Sequence, residues 1–558
     1  MTRSDRDIER LLEKAGQQLA SGAPLKAAGL YQKALDQRPG DLEVMTELAR
    51  ALETGDELLP ACKLYDQIIQ LGGGSADLWV ATGRCLFELG EFAQSIDAFD
   101  RALALDRENA EATHSQARAY FRLGELDRAI RLLRRADQLT DGIGSFLSLA
   151  SILPNAPGAS QREILETRQQ LGSRLAESQD PRQRPLRQGT GEPAKVGFLS
   201  SFFTSANYMK PVWAVLNELD RDRFEIHLLI DDPGDRKQLV GYKEFTSDKS
   251  HRTTGLDNAQ LAHKIAELGI DLLVDLNAYA SPERVGLFAS PPAPIVAGWF
   301  NSYATSGMPG IDYIIGDENV VTRREEKFYS EKVVRLPLSY LTFTVAHDTP
   351  PVVERTPCSG GAPFTFGSLI TQYKITPQVI AAWSKILRRS PGSRLLLANR
   401  ALGSIENRNW LAARFEKHGI GADRLLLLPP ADHLTYLRYY DRIDLALDGF
   451  PYNGGTTTME AIWQGVPVLT FNGDRWASRT SQSILLQTHL AEFVAPNLRG
   501  MIKAAVRLAN APETPARLSE IRRHMRAELE QSSACDGAAA AREMAKLFDR
   551  LLDGEIPA

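Results

Sequence analysis

The chain has 558 residues, of which 43% are hydrophobic and 24% are charged, so its composition is that of an ordinary globular protein with more than one domain. The formal net charge is −5 and the densest basic stretch, residues 122–135, is interleaved with acidic and apolar residues, which argues against a nucleic-acid-binding protein. The charged first 14 residues lack the apolar core of a secretory signal, and no apolar run approaches the ~20 residues of a membrane helix. We therefore expect a cytoplasmic protein with no membrane partner.

Residues 1–145 carry an internal repeat with a period of about 34 residues, the length of a tetratricopeptide repeat. The repeat is visible in pairs of residues that lie one period apart: Gly83 and Ala117, Gly90 and Gly124, Ser95 and Ala129, Phe99 and Leu133. Earlier copies contain Ala61 with Tyr65 and Ala27 with Tyr31, so the pattern predicts four repeats of two antiparallel helices each. The concave side of such a solenoid suits an extended peptide; a rigid spacer or a dimerisation arm is the alternative.

Residues 146–193 are predicted to be a helical linker, with a helix over 161–177 and a stretch rich in Pro, Gly, Gln and Arg after it. Residues 194–350 then alternate short apolar strands with helices, and residues 351–558 repeat this alternation and end in two helices within 515–552. The predicted strands span 196–200, 224–230, 271–277, 294–299, 313–315, 364–368, 394–398, 424–428, 445–447 and 466–470. The fold predicted is an α-solenoid followed by two Rossmann-like α/β lobes, whose ligands bind beyond the carboxyl ends of the strands.

The most informative segment, residues 445–471, has the pattern of a strand, a glycine-rich turn, a helix and a second strand. Gly454 and Gly455 keep the approach to the helix free of side chains, and threonines occupy 456–458 at its start. The start of a helix presents unpaired N–H groups and a partial positive charge, which suit a diphosphate. Glu460 lies about one turn further on, where a carboxylate can accept hydrogen bonds from ribose hydroxyls. An ordinary N-cap after a glycine-rich loop is the alternative.

Two further segments follow predicted strands. Lys374, within 370–377, could neutralise a departing diphosphate, although a single lysine is more often a solvated surface residue. Residues 299–313 contain Gly307, Pro309 and Gly310, which predict a turn-rich loop that could form the wall of a sugar pocket or be an ordinary loop.

The order of these segments resembles that of the O-GlcNAc transferase and SPINDLY family of two-lobed glycosyltransferases, in which tetratricopeptide repeats also precede the catalytic part. The resemblance covers roughly residues 196–494. Its matching positions are Trp299, Thr305-Ser306-Gly307, Asp312-Tyr313, Tyr329-Ser330-Glu331, Tyr373-Lys374, Leu447-Asp448, Pro451-Tyr452-Asn453-Gly454, Thr456-Thr457, Gly473-Asp474-Arg475 and Ala477-Ser478-Arg479.

This resemblance implies a GT-B-type enzyme that moves a sugar, GlcNAc in the first instance, from a UDP-sugar to Ser or Thr of proteins, with inversion and without metal or cofactor. Lys374 would be the catalytic residue that holds the diphosphate. The resemblance implies a nucleotide-sugar site made of Gly454, Gly455, Thr456, Thr457, Glu460, His433, Tyr436, Phe300 and Asn301. Within it, the threonines would bind the diphosphate, Glu460 the ribose, and His433 and Tyr436 the uridine. A structural or surface role is the alternative for His433.

The chain departs from the family pattern in the loop after its first catalytic strand. Phe202 occupies the position of a family Asp and Ala206 that of a family His, and Tyr208 or Lys210 could partly fill the space. Gly455 stands where some members have His. The donor sugar and the general base are therefore left unassigned by the sequence.

Other chemistries find no support in the sequence. HExxH, GxxxxGK[ST] and GxSxG motifs are absent, and the Asp-x-Asp at 220–222 precedes a strand instead of following one. Cys62, Cys85, Cys358 and Cys535 are scattered, so neither a disulfide framework nor a metal site is expected. Three alternatives stay open: a different sugar such as fucose from GDP, an Asn acceptor, and a non-catalytic scaffold with a degenerate transferase domain. Homo-oligomer formation is also open.

Overall fold

The structure is a computed structural model that describes residues 3–178, 183–187, 193–205, 207–233 and 239–556. Contacts divide the chain into two compact units. The first comprises Met1–Ser145 with Asn399–Ala413, and the second comprises Phe146–Ala398 with Arg414–Ala558. Ala206, at which the sequence departs from the family His, lies outside the described residues.

The first unit contains the predicted repeat array. Its helices are α1 (Arg3–Ala20), α2 (Pro24–Gln37), α3 (Leu42–Thr54), α4 (Leu58–Ile68), α5 (Ala76–Glu88), α6 (Phe92–Leu105), α7 (Ala110–Arg122) and α8 (Leu126–Gln138). Consecutive helices pack on one another as antiparallel pairs. This confirms the tetratricopeptide fold predicted from the 34-residue period.

Small residues at the helix crossings explain the repeat pattern. Gly83 of α5 faces the ring of Phe99 in α6, and a Cβ at position 83 would stand 2.5 Å from that ring. Ala27 and Ala61, one period apart, have no exposed surface. Gly90 has φ +84° in the tight turn between α5 and α6, a conformation that glycine adopts without steric cost.

The first lobe of the second unit is built on a fully parallel sheet. Its strands are β1 (Ala194–Ser200), β2 (Phe224–Ile230), β3 (Lys249–Arg252), β4 (Leu272–Asp275), β5 (Ile295–Gly298), β6 (Tyr313–Asp317) and β7 (Lys332–Leu336). The strand order within the described residues is β3-β2-β1-β4-β5-β6-β7. The edge strands β3 and β7 were not predicted, because their charged and partly exposed residues lack the continuous apolar run of a buried strand. The helices before and within this lobe are α9 (Gly144–Ile152), α10 (Gln161–Glu177), α11 (Lys210–Leu216) and α12 (Asn258–Leu268).

The second lobe has the same design. Its strands are β8 (Thr365–Ser368), β9 (Arg394–Ala398), β10 (Leu425–Leu428), β11 (Leu445–Leu447), β12 (Val468–Phe471) and β13 (Val494–Ala495), in the parallel order β10-β9-β8-β11-β12-β13. The helices in this part of the chain are α13 (Pro377–Arg389), α14 (Ile405–Glu416), α15 (His433–Arg438), α16 (Thr456–Trp463), α17 (Thr480–Leu485), α18 (Leu498–Asn510), α19 (Thr514–Glu530) and α20 (Gly537–Leu552). The two doubly wound lobes and the two closing helices agree with the fold predicted from the strand–helix alternation.

The segment Asn399–Ala413, which contains most of α14, belongs to the first unit although its sequence lies between strands of the second lobe. The Asn407 side chain donates to the Gly90 carbonyl at 2.7 Å and accepts from the Ala93 N–H at 3.0 Å. The ring of Trp410 lies 6.4 Å from that of Tyr120. The local sequence pattern places this segment in the second lobe, because nothing in that pattern indicates these long-range partners.

Across the described part of the chain, every helix is too short or too polar to span a bilayer. Within the same ranges, His, Cys, Asp and Glu side chains form no cluster of three that could hold a metal ion.

We predict opposite effects of one substitution at two glycines of the repeat array. Gly83→Ala should lower the free energy of unfolding by ~1–3 kcal/mol, because the new methyl group collides with the buried Phe99 ring. Gly29→Ala, in α2 where the new methyl group would meet no atom of a neighbouring element within 4 Å, should raise it by ~0.5–1 kcal/mol through helix propensity. Urea denaturation followed by circular dichroism measures both, and a stabilising Gly83→Ala would contradict the packing described.

Candidate active site

The loops that follow β1, β5, β8 and β11 meet at the carboxyl ends of the two parallel sheets, where Rossmann-like folds bind their ligands. They line a cavity of about 180 Å³. Both lobes contribute to its lining, so the site is formed within the second unit.

The turn between β11 and α16 is held by the buried carboxylate of Asp448. One of its oxygens accepts from the N–H groups of Gly449 and Gly454, both at 2.9 Å, and the other accepts from the Thr470 hydroxyl at 2.7 Å. Burial raises the pKa of this carboxyl group. Gly454 is required because a Cβ there would collide with the hydroxyl groups of the threonines that follow. The carboxylate therefore fixes the path of the chain into the helix.

Helix α16 begins at Thr456, as predicted, and its first turn faces the cavity. Thr456 and Thr457 line the cavity, whereas the Thr458 hydroxyl is buried against the Ser481 hydroxyl at 2.8 Å. The first N–H groups of a helix have no partner within the helix and carry a partial positive charge. Two of the three threonines thus add hydroxyl donors to a helix end suited to an anion.

Lys374 enters the same cavity from the short turn after β8. Its ammonium group donates to the Asn453 carbonyl at 2.7 Å and lies 3.7 Å from the centroid of the Tyr452 ring. Part of the side chain opens to the cavity, but the protein around the ammonium group desolvates it and lowers its pKa to about 8, against the opposing effect of Asp448. At neutral pH the cavity lining therefore includes a lysine cation as well as the helix start.

The opposite wall is the loop after β5. Phe300 has φ +54°, a strained conformation for an aromatic residue, and this turns residues 300–303 toward the cavity. The Asn301 amide donates to the Leu276 carbonyl at 2.7 Å and accepts a short hydrogen bond from the Tyr208 hydroxyl. These contacts fix the wall next to the predicted sugar pocket.

Most residues of the Thr305-Ser306-Gly307 motif support this wall from behind. Glu331 accepts from the Thr305 hydroxyl at 2.7 Å and from the Ser306 N–H, and the Arg168 guanidinium donates to the Thr305 carbonyl at 2.6 Å. A Cβ at Gly307, where φ is +69°, would collide with the backbone of Arg168 in α10. These motif residues are therefore structural in this chain.

A second polar cluster connects α11 with α16 across the lobes. Lys210 and Glu460, both buried, approach to 3.5 Å, and burial lowers the pKa of Lys210 and raises the pKa of Glu460. His433 Nδ1 lies 2.9 Å from the Asn207 amide nitrogen, and the His433 ring packs edge-on against His347 at 4.8 Å. Among the described residues, the Nε2 atoms of both histidines have no hydrogen-bond partner.

The predicted site residues therefore fall into two groups. Lys374, Gly455, Thr456, Thr457, Phe300 and Asn301 line the cavity. Glu460 and His433 belong to the second cluster, and Tyr436, whose ring stacks at 6.3 Å from His433, donates to the Leu369 carbonyl at 2.9 Å. Gly454 contributes to the site by allowing the backbone turn that leads into α16.

Five tyrosines line the cavity, and the sequence suggests a role at the site only for Tyr208, in the space of the family's histidine. The cavity lining includes Tyr208, Tyr303, Tyr340, Tyr373 and Tyr452. Each follows a strand or lies in a loop that reaches the carboxyl edge of a sheet. Their position after strands is the one feature of the sequence that could have indicated a place in the cavity. Scattered aromatic residues in loops have no periodicity, so the sequence does not show which of them come together.

Comparison with known proteins supports the resemblance noted in the sequence. The model of glycosyl transferase family 41 matches residues 179–353 and 364–544, and a tetratricopeptide repeat model matches residues 80–142. A solved structure of a mutant O-GlcNAc transferase from Thermobaculum terrenum aligns with a TM-score of 0.79 and 26% identity, covering 99% of this chain and 98% of that one.

Curated relatives include the probable UDP-N-acetylglucosamine–peptide N-acetylglucosaminyltransferase SPINDLY of Solanum lycopersicum, 32% identical over 54% of this chain and 33% of that protein. The probable UDP-N-acetylglucosamine–peptide N-acetylglucosaminyltransferase SEC of Arabidopsis thaliana is 27% identical over 60% of this chain and 35% of that protein. The chain thus spans about a third of the length of these relatives. Because the family model matches more than half of its residues, the chain belongs to glycosyl transferase family 41.

Proposed function

We propose that this chain is an inverting glycosyltransferase that moves a sugar, GlcNAc in the first instance, from a UDP-sugar to Ser or Thr side chains of proteins. The observation that carries the proposal is that Lys374 and the first turn of α16 line one cavity. The names of the SPINDLY and SEC relatives support GlcNAc as the sugar and a peptide as the acceptor.

In the proposed reaction the acceptor hydroxyl attacks the anomeric carbon while the bond from that carbon to the diphosphate breaks. A single displacement of this kind inverts the anomeric configuration. Lys374 and the start of α16, with Thr456 and Thr457, neutralise the charge that develops on the departing UDP, so the proposal requires neither a metal ion nor a cofactor.

The proton of the acceptor hydroxyl has no side-chain base in this proposal. Among the described residues, the cavity lining contains no Asp, Glu or His, and Ala206 stands at the family's histidine position in the sequence. The proton therefore passes to water or to the departing diphosphate, and stabilisation of the leaving group supplies most of the rate enhancement.

We assign the nucleoside to the second polar cluster. The Glu460 carboxylate is one turn into α16, where it can accept from ribose hydroxyls, and the free Nε2 of His433 provides a polar edge for the base. The Tyr436 ring lies parallel to His433 and adds an aromatic surface beside it.

The protein acceptor is assigned to the repeat array. A groove of about 480 Å³ in the first unit is lined by polar side chains of α3, α5 and α7, including Thr46, Arg50, Arg84 and Glu111. Arg84 is held by carboxylates at 2.6 and 2.9 Å, so the groove offers fixed polar groups to a peptide. We propose a cytoplasmic protein whose partners are the UDP-sugar and protein acceptors, without nucleic acid or membrane.

Mass spectrometry of protein co-expressed with the chain tests the proposal. An added mass of one N-acetylhexosamine on Ser or Thr is the expected result. A different added mass would support the alternative sugar, and modified Asn the alternative acceptor. No modification despite UDP binding would support the non-catalytic scaffold and contradict the proposed activity.

We predict that Lys374→Met lowers the transfer rate ~100-fold or more while the fold is retained, because the leaving diphosphate loses its cation. Lys385→Met is the matched control, since Lys385 is exposed on α13 and does not line the cavity. Steady-state transfer from UDP-GlcNAc measures both variants. Turnover of Lys374→Met at the rate of the control would remove this lysine from the mechanism.

We predict a pH-dependent loss of UDP affinity in Lys210→Met. Without Lys210, the buried Glu460 loses its ion-pair partner, so its pKa rises further and a larger share is protonated as the pH falls. Relative to the unmodified chain at the same pH, we expect UDP to bind about tenfold more weakly at pH 6 and with a smaller loss at pH 8.

Calorimetry at the two pH values measures this difference. The double variant Lys210→Met/Glu460→Gln removes both charges and should show a loss that does not depend on pH. A pH-independent loss in Lys210→Met itself would show that Glu460 is not the titrating group.

A further inference from the structure

The Tyr452 ring contacts both Lys374 and Tyr303. The Lys374 ammonium group is 3.7 Å from the Tyr452 centroid, and the Tyr303 ring stacks on Tyr452 at 4.6 Å with an interplanar angle of 25°. Tyr303 belongs to the first lobe, whereas Lys374 and Tyr452 belong to the second.

Besides a carbonyl group, the Tyr452 ring is the nearest group that can stabilise the positive charge of Lys374. Within the described ranges, no Asp or Glu side chain is in ion-pair contact with Lys374, and Asp448 acts on it only through space. Both oxygens of Asp448 are engaged by the turn before α16 and by Thr470. The contact between Lys374 and the Asn453 carbonyl, at 2.7 Å, is the remaining direct one.

We propose that Tyr452, backed by Tyr303, is a positioning residue for Lys374: its ring face holds the ammonium group in the cavity and stabilises the charged form. This inference rests on the proposed function, in which Lys374 binds the departing diphosphate. A cation over an aromatic face is attracted by the quadrupole of the ring.

An aromatic partner suits this task better than a carboxylate. An ammonium group has three N–H donors, and the Asn453 carbonyl takes one of them, which leaves two for phosphate oxygens. A carboxylate in ion-pair contact would take a further donor and cancel the positive charge that the diphosphate needs. The ring face stabilises the charge while leaving those donors available.

Four neighbouring phenols stay in one state over the pH range that matters. Burial raises the pKa values of Tyr208, Tyr303, Tyr340 and Tyr452, so these phenols remain neutral at pH 7 to 9. Tyr373 also lines the cavity. Burial raises the pKa of Asp448, which is held by three hydrogen bonds in the turn. Lys374, with a pKa of about 8, titrates within this range.

The test compares the pH dependence of UDP affinity and of transfer in the unmodified chain, Tyr452→Leu and Tyr452→Phe. In the unmodified chain both quantities should decline as the pH rises through about 8, because Lys374 loses its proton. In Tyr452→Leu we expect this decline to begin about 0.5–1 pH unit lower, since the charged lysine has lost the ring. Tyr452→Phe keeps the ring face, so its decline should stay at the original pH.

Replacement of Tyr452 with pentafluorophenylalanine separates electrostatics from packing. The ring keeps its shape but loses the negative face, so the decline should move to lower pH as in Tyr452→Leu. If the decline keeps its position in this variant and in Tyr452→Leu, with affinity reduced equally at every pH, then Tyr452 only fills space and the proposal is overturned. If Tyr452→Leu does not fold, the fluorinated variant tests the proposal by itself.

A direct titration of Lys374 keeps this proposal distinct from the proposed function. The ¹³Cε signal of Lys374, assigned by its loss in Lys374→Met, reports the protonation of the lysine without any ligand. A chain that neither binds UDP nor transfers a sugar contradicts the proposed function, yet a lower Lys374 pKa in the fluorinated variant would still support the role of Tyr452. An unchanged pKa would reject that role even in an active enzyme.

Discussion

The hydrogen bonds of the buried Asp448 carboxylate are the constraint on which the site depends. They connect the end of β11, the glycine turn and the neighbouring strand β12, and so fix where α16 begins. The carbonyl that holds Lys374 belongs to Asn453 in the same turn, so the lysine and the helix start are positioned by one local structure. In the proposed reaction, the Lys374 ammonium group and the start of α16 therefore keep a fixed separation. Little reorganisation of the site is required when a diphosphate binds.

The parts of the fold that repeat, or that depend on neighbours in sequence, could be predicted. The helix over 161–177, the start of α16 at Thr456 and the two parallel lobes follow from periodicity, capping residues and glycine positions. The layer of Tyr303 and Tyr452 could not be predicted, because it joins loops of two lobes that are far apart in the chain. The same limit applies to the Lys210 and Glu460 pair, since a buried lysine looks the same in sequence as a solvated one.

The positions that match the family pattern include residues that line the cavity and residues that support its wall. Thr305, Ser306 and Glu331 match the family pattern, and here they bond to one another behind the wall of the cavity. Arg168 of α10 completes this support, although it lies before the region of resemblance. Matching residues can therefore reflect the need to hold a loop as much as the need to contact a substrate, and only the hydrogen-bond partners separate the two.

The membership of Asn399–Ala413 in the first unit has a consequence for how this protein can be dissected. The repeat array is not one continuous piece of chain, because it includes a segment that the polypeptide reaches only after completing β9. Cutting the polypeptide after Ser145 would strip the array of the Asn407 amide and the Trp410 ring, and would leave the Gly90 carbonyl and the Ala93 N–H without these partners. During synthesis on the ribosome, the repeats likewise emerge about 250 residues before this last component, so the array is completed only after β8 and β9 of the second lobe have been made.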